Sequence, residues 1–177
     1  MLGFFTPADV RSSFMPLETA RRRENHRPPA REGDEVRRDE ERWVPLVQEA
    51  DVLLVDGGDA AYLCHWLRAS GLADLLPTLH DTVWLSVSAG SMVMTPRVGE
   101  DFVSWHSEAG DRTLGVVDFS IFPHLDNPDL PHNTMAAAER WAADLGAPAY
   151  AIDDETAIEV VDGTVEVVSE GNWRHFA

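Results

Sequence analysis

A chain of 177 residues with 44% hydrophobic content can bury one sizeable core and is too short for two domains of ordinary size. Its 31 acidic residues against 14 basic ones leave a formal charge of -17, a field that repels phosphate backbones and anionic bilayers. Neither nucleic acid nor a membrane is therefore expected as a partner. The single cysteine, Cys64, excludes an internal disulfide framework and any Cys-rich zinc cluster. The opening MLGFF is too short for a signal-peptide core, so a cytoplasmic location is expected.

Along the chain, residues 1–37 differ from the rest. The stretch ARRRENHRPPAREGDEVRRDEER is charged, carries paired prolines and keeps no period of 2 or 3.6, which predicts an irregular N-terminal arm. From Arg38 to Ala177 the pattern becomes that of one α/β domain. RWVPLVQEA reads as a short amphipathic helix, and DVLLVDGG, a continuous apolar run closed by two glycines, reads as a buried parallel strand. DAAYLCHWLRASGL follows with apolar residues at helical spacing and a stop at Gly71. Cys64, beside Leu63 on this helix, is expected to be a buried small hydrophobe. TVWLSVSAG and SMVM form a second strand, turn and helix, cut short at Thr95-Pro96. GVVDFSIFPHL supplies a third strand that delivers His124, and NTMAAAERWAADLG is a helix with Asn/Thr capping and a terminal Gly146. The tail holds β-branched runs around VDGTV, where Asp-Gly marks a hairpin.

Alternating strands and helices predict a three-layer α/β sandwich with a mainly parallel sheet. Sites in such sheets form beyond the carboxyl ends of the strands, where this chain places Gly57-Gly58-Asp59, Ser88-Ala89-Gly90 and Pro123-His124. A serine on a strand-to-helix elbow is exposed, and the next backbone N–H is free to stabilise an oxyanion. A histidine held by a carboxylate would activate it. The elbow pattern is Gly-x-Ser-x-Gly, and here Ser86 stands in the first position. On the motif alone, Ser88 is either a nucleophile or a small residue closing a strand, and His124 either a base or a hydrogen-bonded buried histidine.

VLLVDGGDAAYL, SVSAGSMV, FPHLDNP, YAIDDETAI and SEGNW, in this order and spacing, resemble the peptidase E (aspartyl dipeptidase) family of serine peptidases. The resemblance runs from about Arg38 to Ala177. It implies a class I glutamine amidotransferase-like (flavodoxin-like) fold, with Ser88 as nucleophile, His124 as general base and the N–H groups of Gly58 and Ala89 as oxyanion hole. A carboxylate soon after the elbow should orient the histidine, and VGEDF offers Glu100 and Asp101, between which the sequence does not choose. Asp59, Asn127 and His132 are the candidates for touching substrate. The family often reads Gly-Gly-Asn-Thr where this chain has Gly58-Asp59-Ala60, and no Arg follows the histidine in LDNPDLPHN, which argues against selectivity for N-terminal Asp. The family also supplies two βα units before the first matched strand, and residues 1–37 do not read as such units. The sheet is thus expected to lack N-terminal strands and to leave a strand near 51–56 incompletely covered.

The resemblance implies a serine-type peptidase hydrolysing short peptides, dipeptidase-like, through an acyl-enzyme. The alternative is a non-catalytic or vestigial peptidase E-like binding domain. A cysteine-based amidotransferase is excluded by the serine at the elbow and by the mid-helix place of Cys64. Asp153, Asp154 and Glu155 are acidic neighbours, but no His/Cys set at ligand spacing accompanies them, so neither metal nor cofactor is expected. Trp66, Trp84, Trp105, Trp141 and Trp173 are expected in the core, and His65, His80 and His106 in solvated or capping roles. A short peptide is the expected partner, with the oligomeric state open between monomer and homodimer.

Overall fold

The computed structural model describes residues 2–4, 40–105 and 109–177. A short strand β1 (Leu2–Phe4) precedes α1 (Glu40–Gln48), β2 (Val52–Val55) and α2 (Ala60–Ala69). Then come α3 (Leu72–Leu75), β3 (Val83–Ser86) and the short α4 (Ala89–Met92). After a 3-10 turn at Glu100–Phe102 follow β4 (Ser120–Phe122), α5 (Met135–Leu145) and β5 (Ala149–Ile152). The chain closes with β6 (Thr156–Val161), β7 (Thr164–Ser169) and β8 (Trp173–Phe176). The strands form two sheets, of order β2-β3-β1-β6-β7 and β4-β5-β8.

Pairing is parallel where strand meets strand through a helix. β2 runs beside β3 with Val55 opposite Ser86, and β4 beside β5 with Phe122 opposite Ala151. It is antiparallel between β6 and β7, which a tight turn joins, between β5 and β8, which the β6–β7 hairpin separates in sequence, and between β1 and β6. Asp162 (φ 50°) and Gly163 (φ 77°) make the turn of the β6–β7 hairpin, both in the left-handed region that a two-residue type I′ loop demands. The Thr134 hydroxyl accepts from the Ala137 N–H at 3.2 Å and caps α5, which Gly146 ends at φ 63°.

Two expectations change. Residues 2–4, assigned to the irregular arm, form the middle strand of the larger sheet, Phe4 pairing with Ser86 on one side and Ile158 on the other. Three residues are too few to show a period, which is why the pattern hid them. The rest of the 1–37 arm, Met1 and residues 5–37, and His106 lie outside the described residues. β2, read from its apolar run as buried yet from the resemblance as incompletely covered, is an edge among the described residues, and Val52 and Leu54 on one of its faces are half exposed. A continuous apolar run cannot say whether a strand's second face is covered.

One core joins α2 to β3 and β6 through Cys64, Leu67, Trp84, Val93, Met94, Ile121 and Ile158. Ile121 and Ile158 are fully buried, and each such side chain contributes roughly 1.5–3 kcal/mol by leaving water. A second core lies where α5 covers β4 and β5, with Phe102 edge-on to Phe122 at 5.3 Å and Phe122 on Trp141 at 5.5 Å. A third cluster of Ala60, Ala89, Met92 and Val98 presses the loop after α4 onto the starts of α2 and α4. Trp84 and Trp141 are core as expected, whereas Trp66 and Trp105 are half-buried and Trp173 is exposed. Burial pushes the Cys64 thiol up, against the pull of Arg68, so it stays protonated and unreactive at neutral pH.

Candidate active site

The elbow is built by close approach. Val87 N–H donates to the Val55 carbonyl at 3.0 Å, tying the end of β3 to the end of β2. A Cβ on Gly90 would run into the Val55 carbonyl oxygen and come within 2.9 Å of that of Asp56, so only glycine lets α4 start there. The departure at Ser86 has a structural reason: its fully buried hydroxyl meets Ser91 Oγ at 3.2 Å and links the strand to α4 from below. The chain then turns at Ser88 with φ 55° and ψ -121°, a conformation costing a non-glycine residue roughly 1–3 kcal/mol. Ser88 sits at the N-cap of α4, yet its hydroxyl caps nothing. Among the described residues Ser88 Oγ and the N–H groups of Gly58 and Ala89 have no hydrogen-bond partner. Gly57 lies beside the serine, since a Cβ there would stand 3.6 Å from Ser88 Oγ.

His124 arrives at the end of β4, also at positive φ, 56°. Its Nδ1 is 2.6 Å from Asp154 Oδ1, with the imidazole 20% and the carboxylate 35% exposed. Asp154 Oδ2 accepts from Asn127 Nδ2, while Asn127 Oδ1 accepts from the Asp129 N–H at 2.8 Å. The second bond fixes the amide's orientation, because a backbone N–H can only donate. Asp153, next to Asp154, is spent on structure. Its Oδ1 accepts from Thr156 Oγ1 at 2.6 Å and from Glu155 N–H at 3.1 Å, and its Oδ2 accepts from Asn172 N–H. Asp153 thereby fastens the turn carrying Asp154 to the β7–β8 connection.

Asp59 joins two further elements. Oδ1 accepts from Tyr62 N–H at 2.8 Å at the start of α2, and Oδ2 accepts from Trp105 N–H at 2.8 Å and from the Ser104 hydroxyl. Burial pushes its carboxyl up, but the hydrogen bonds from Ser104, Tyr62 and Trp105 together outweigh burial and hold it below the usual carboxylate range.

Several expected roles shift. Glu100 and Asp101, the candidates for orienting His124, are exposed in the 3-10 turn, and Asp154 occupies the place at Nδ1. The physical reason is topological. β5 is the parallel neighbour of β4, so residues just past its end stand beside His124. Asp59 and Asn127, considered for substrate contact, are engaged within the protein, and His132 is exposed. No hydrogen bond joins Ser88 to His124 in this structure. Asp154 stands out in the sequence only as part of an acidic run; the signal that could mark the Asp153-Asp154 pair is its place just after a strand-forming stretch, YAI. Among the described residues no group of three or more His, Cys, Asp or Glu is arranged to hold a metal ion. A hollow of about 900 Å³ is lined by Arg68, His80, Trp84, Met94, Leu114 and Asp162 among others and by none of Gly57–Asp59, Ser88–Gly90 or Pro123–His124. It is therefore separate from the serine and histidine.

Comparison with known proteins gives a family. The model described as Peptidase family S51 matches residues 33–168. A protein from Listeria monocytogenes EGD-e described as a peptidase E superposes with a TM-score of 0.57 at 20% identity, over 72% of this chain and 63% of its own. A peptidase from an acI-B1 Actinobacterium superposes with a TM-score of 0.55 at 23% identity, over 77% of this chain and 58% of its own. At these identities the likeness establishes the fold, and the chain spans about three-fifths of the length of each structure. No curated protein matches. No helix among the described residues is long and apolar enough to cross a membrane.

Proposed function

Because the chain belongs to peptidase family S51, we propose that it is a serine peptidase that hydrolyses short peptides through an acyl-enzyme, with Ser88, His124 and Asp154 as its triad. The observation that carries this reading is the pairing of His124 Nδ1 with Asp154 Oδ1 at 2.6 Å, across the strand ends from an unspent serine hydroxyl. With Nδ1–H donated to the carboxylate, Nε2 bears the lone pair and faces the task of a general base. Ser88 Oγ and Nε2 must close to about 3 Å for proton transfer. The Oγ then attacks the peptide carbonyl carbon as its proton passes to Nε2, and Asp154 stabilises the imidazolium. The N–H groups of Gly58 and Ala89 receive the developing oxyanion. Collapse breaks the C–N bond, and the amine departs with the proton from Nε2. Water, deprotonated by the same nitrogen, releases the acid and restores Ser88.

A dipeptidase-like preference for short substrates goes with this reading. The rival, a non-catalytic peptidase E-like binding domain, draws on the absence of a hydrogen bond between Ser88 and His124. A fluorophosphonate probe separates the two. The peptidase should be labelled at Ser88, more slowly in His124→Ala and not at all in Ser88→Ala, and should cleave dipeptides. A folded protein that neither reacts nor cleaves is the binding domain.

A further inference from the structure

We propose that Tyr62, His65 and Trp105 line a subsite for an aromatic side chain of the peptide next to the scissile bond, an inference that rests on Ser88 being the nucleophile. Tyr62, His65 and Trp66 stand at i, i+3 and i+4 on α2 and share one face of it. Trp105 packs against that face, its ring 5.6 Å from Tyr62 at 78° and 5.0 Å from His65. Tyr62 and Trp66 meet edge-on at 6.1 Å. The result is a continuous aromatic wall.

One carboxylate ties this wall to the chemistry. Asp59 holds the Tyr62 and Trp105 N–H groups, directly follows Gly58, and stands two residues from Gly57 at the side of Ser88. The wall thus begins within one helical turn of the amide assigned to the oxyanion.

A wall serving only to anchor the loop would bury its rings. Tyr62 instead keeps 39% of its surface exposed and His65 is exposed, whereas the true core indoles of Trp84 and Trp141 keep 3% and 2%. Behind the wall the Trp66 indole N–H is buried and has no acceptor among the described residues. At the described strand ends and in the loop before Trp105, an acidic side chain would meet no Lys or Arg. The chain has no Lys, and no Arg occurs in residues 56–59, 88–90, 98–105, 123–133 or 153–155. Asn127 is already bonded to Asp154. Edge and face contacts with an incoming ring are what the wall offers.

The test ranks dipeptides carrying Phe, Leu, Asp or Arg at either position around the bond by kcat/KM on the full chain. Phe at one position should exceed Leu by about 10-fold and Asp by about 100-fold. The Phe-over-Leu ratio should fall roughly 10-fold in Tyr62→Ala and Trp105→Ala and survive in Tyr62→Phe. A preference for Asp or Arg, or a ratio unchanged in both alanine variants, overturns the subsite. Ser88→Ala supplies a readout free of turnover: Phe-Ala should saturably shift the indole N–H resonances of Trp66 and Trp105 in an NMR titration. Absence of that shift overturns the subsite even if Ser88 reacts with fluorophosphonate. The shift without any Ser88 labelling keeps the aromatic site and removes the peptidase reading.

Discussion

Ser88 and His124 stand at strand ends in two different sheets, and the two halves of the site are held by different forces. The serine half is fixed by backbone proximity: Gly90 against the Val55 carbonyl, Val87 bonded to Val55, and Ser86 against Ser91. The histidine half is fixed by a relay of side chains from Asp129 N–H through Asn127 and Asp154 to His124, braced from behind by Asp153. Close packing demands particular small residues within a few positions of one another. A polar relay recruits any suitable donor or acceptor that the topology brings near, at any distance along the chain. Damage to the first half should therefore appear as lost stability, and damage to the second as lost rate.

The largest effect should come from Asp154→Asn, which keeps the shape but removes the charge that sets the imidazole tautomer. Peptide hydrolysis should drop by about 10⁴-fold with unchanged circular dichroism, whereas Glu100→Gln and Asp101→Asn should stay within about 3-fold. If either of those two matched Asp154→Asn, the relay as drawn would be broken. Next, Gly90→Ala should destabilise by about 3 kcal/mol, because the new methyl meets two backbone carbonyls that cannot move without unseating β2. Thermal denaturation should register it as a Tm lower by roughly 6–12 °C. A stable Gly90→Ala variant that had merely lost activity would erase the contrast between the halves.

Asn127→Ala should lower kcat/KM by about 10-fold, since it leaves Asp154 Oδ2 without its donor. Its Tm should change little, and a large fall would make Asn127 a structural rather than a positioning residue. The smallest effect concerns pH. The folded protein holds the Asp59 carboxyl below its ordinary value of about 3.9, so its contribution is complete above that value. It is lost as pH falls through the lower folded value. Hydrogen exchange at Ser104 and Trp105 should accelerate below about pH 4 in the wild type, and Asp59→Asn should show faster exchange already at neutral pH. Equal exchange in the two proteins at pH 7 would show that Asp59 does not anchor the loop.

What the amino-acid sequence determined by itself was local. The elbow at Ser88, the histidine at the end of its strand, the capped helix Met135–Leu145 and the Asp-Gly hairpin each depend on residues within one turn or a few positions, where sterics and capping leave a readable mark. The ordered motifs also carried the family. The tertiary structure alone decided three things. It put Leu2–Phe4 in the middle of the larger sheet, a placement that three residues cannot announce because strand pairing is a property of the neighbours β3 and β6. It chose Asp154 over Glu100 and Asp101, because β5 lies parallel to β4 and brings a residue thirty positions away to the His124 imidazole. It also divided the labour between Asp153 and Asp154, chemically identical neighbours in sequence. One carboxylate holds the β7–β8 connection and the other faces the histidine, and only the direction of the turn between β5 and β6 tells them apart.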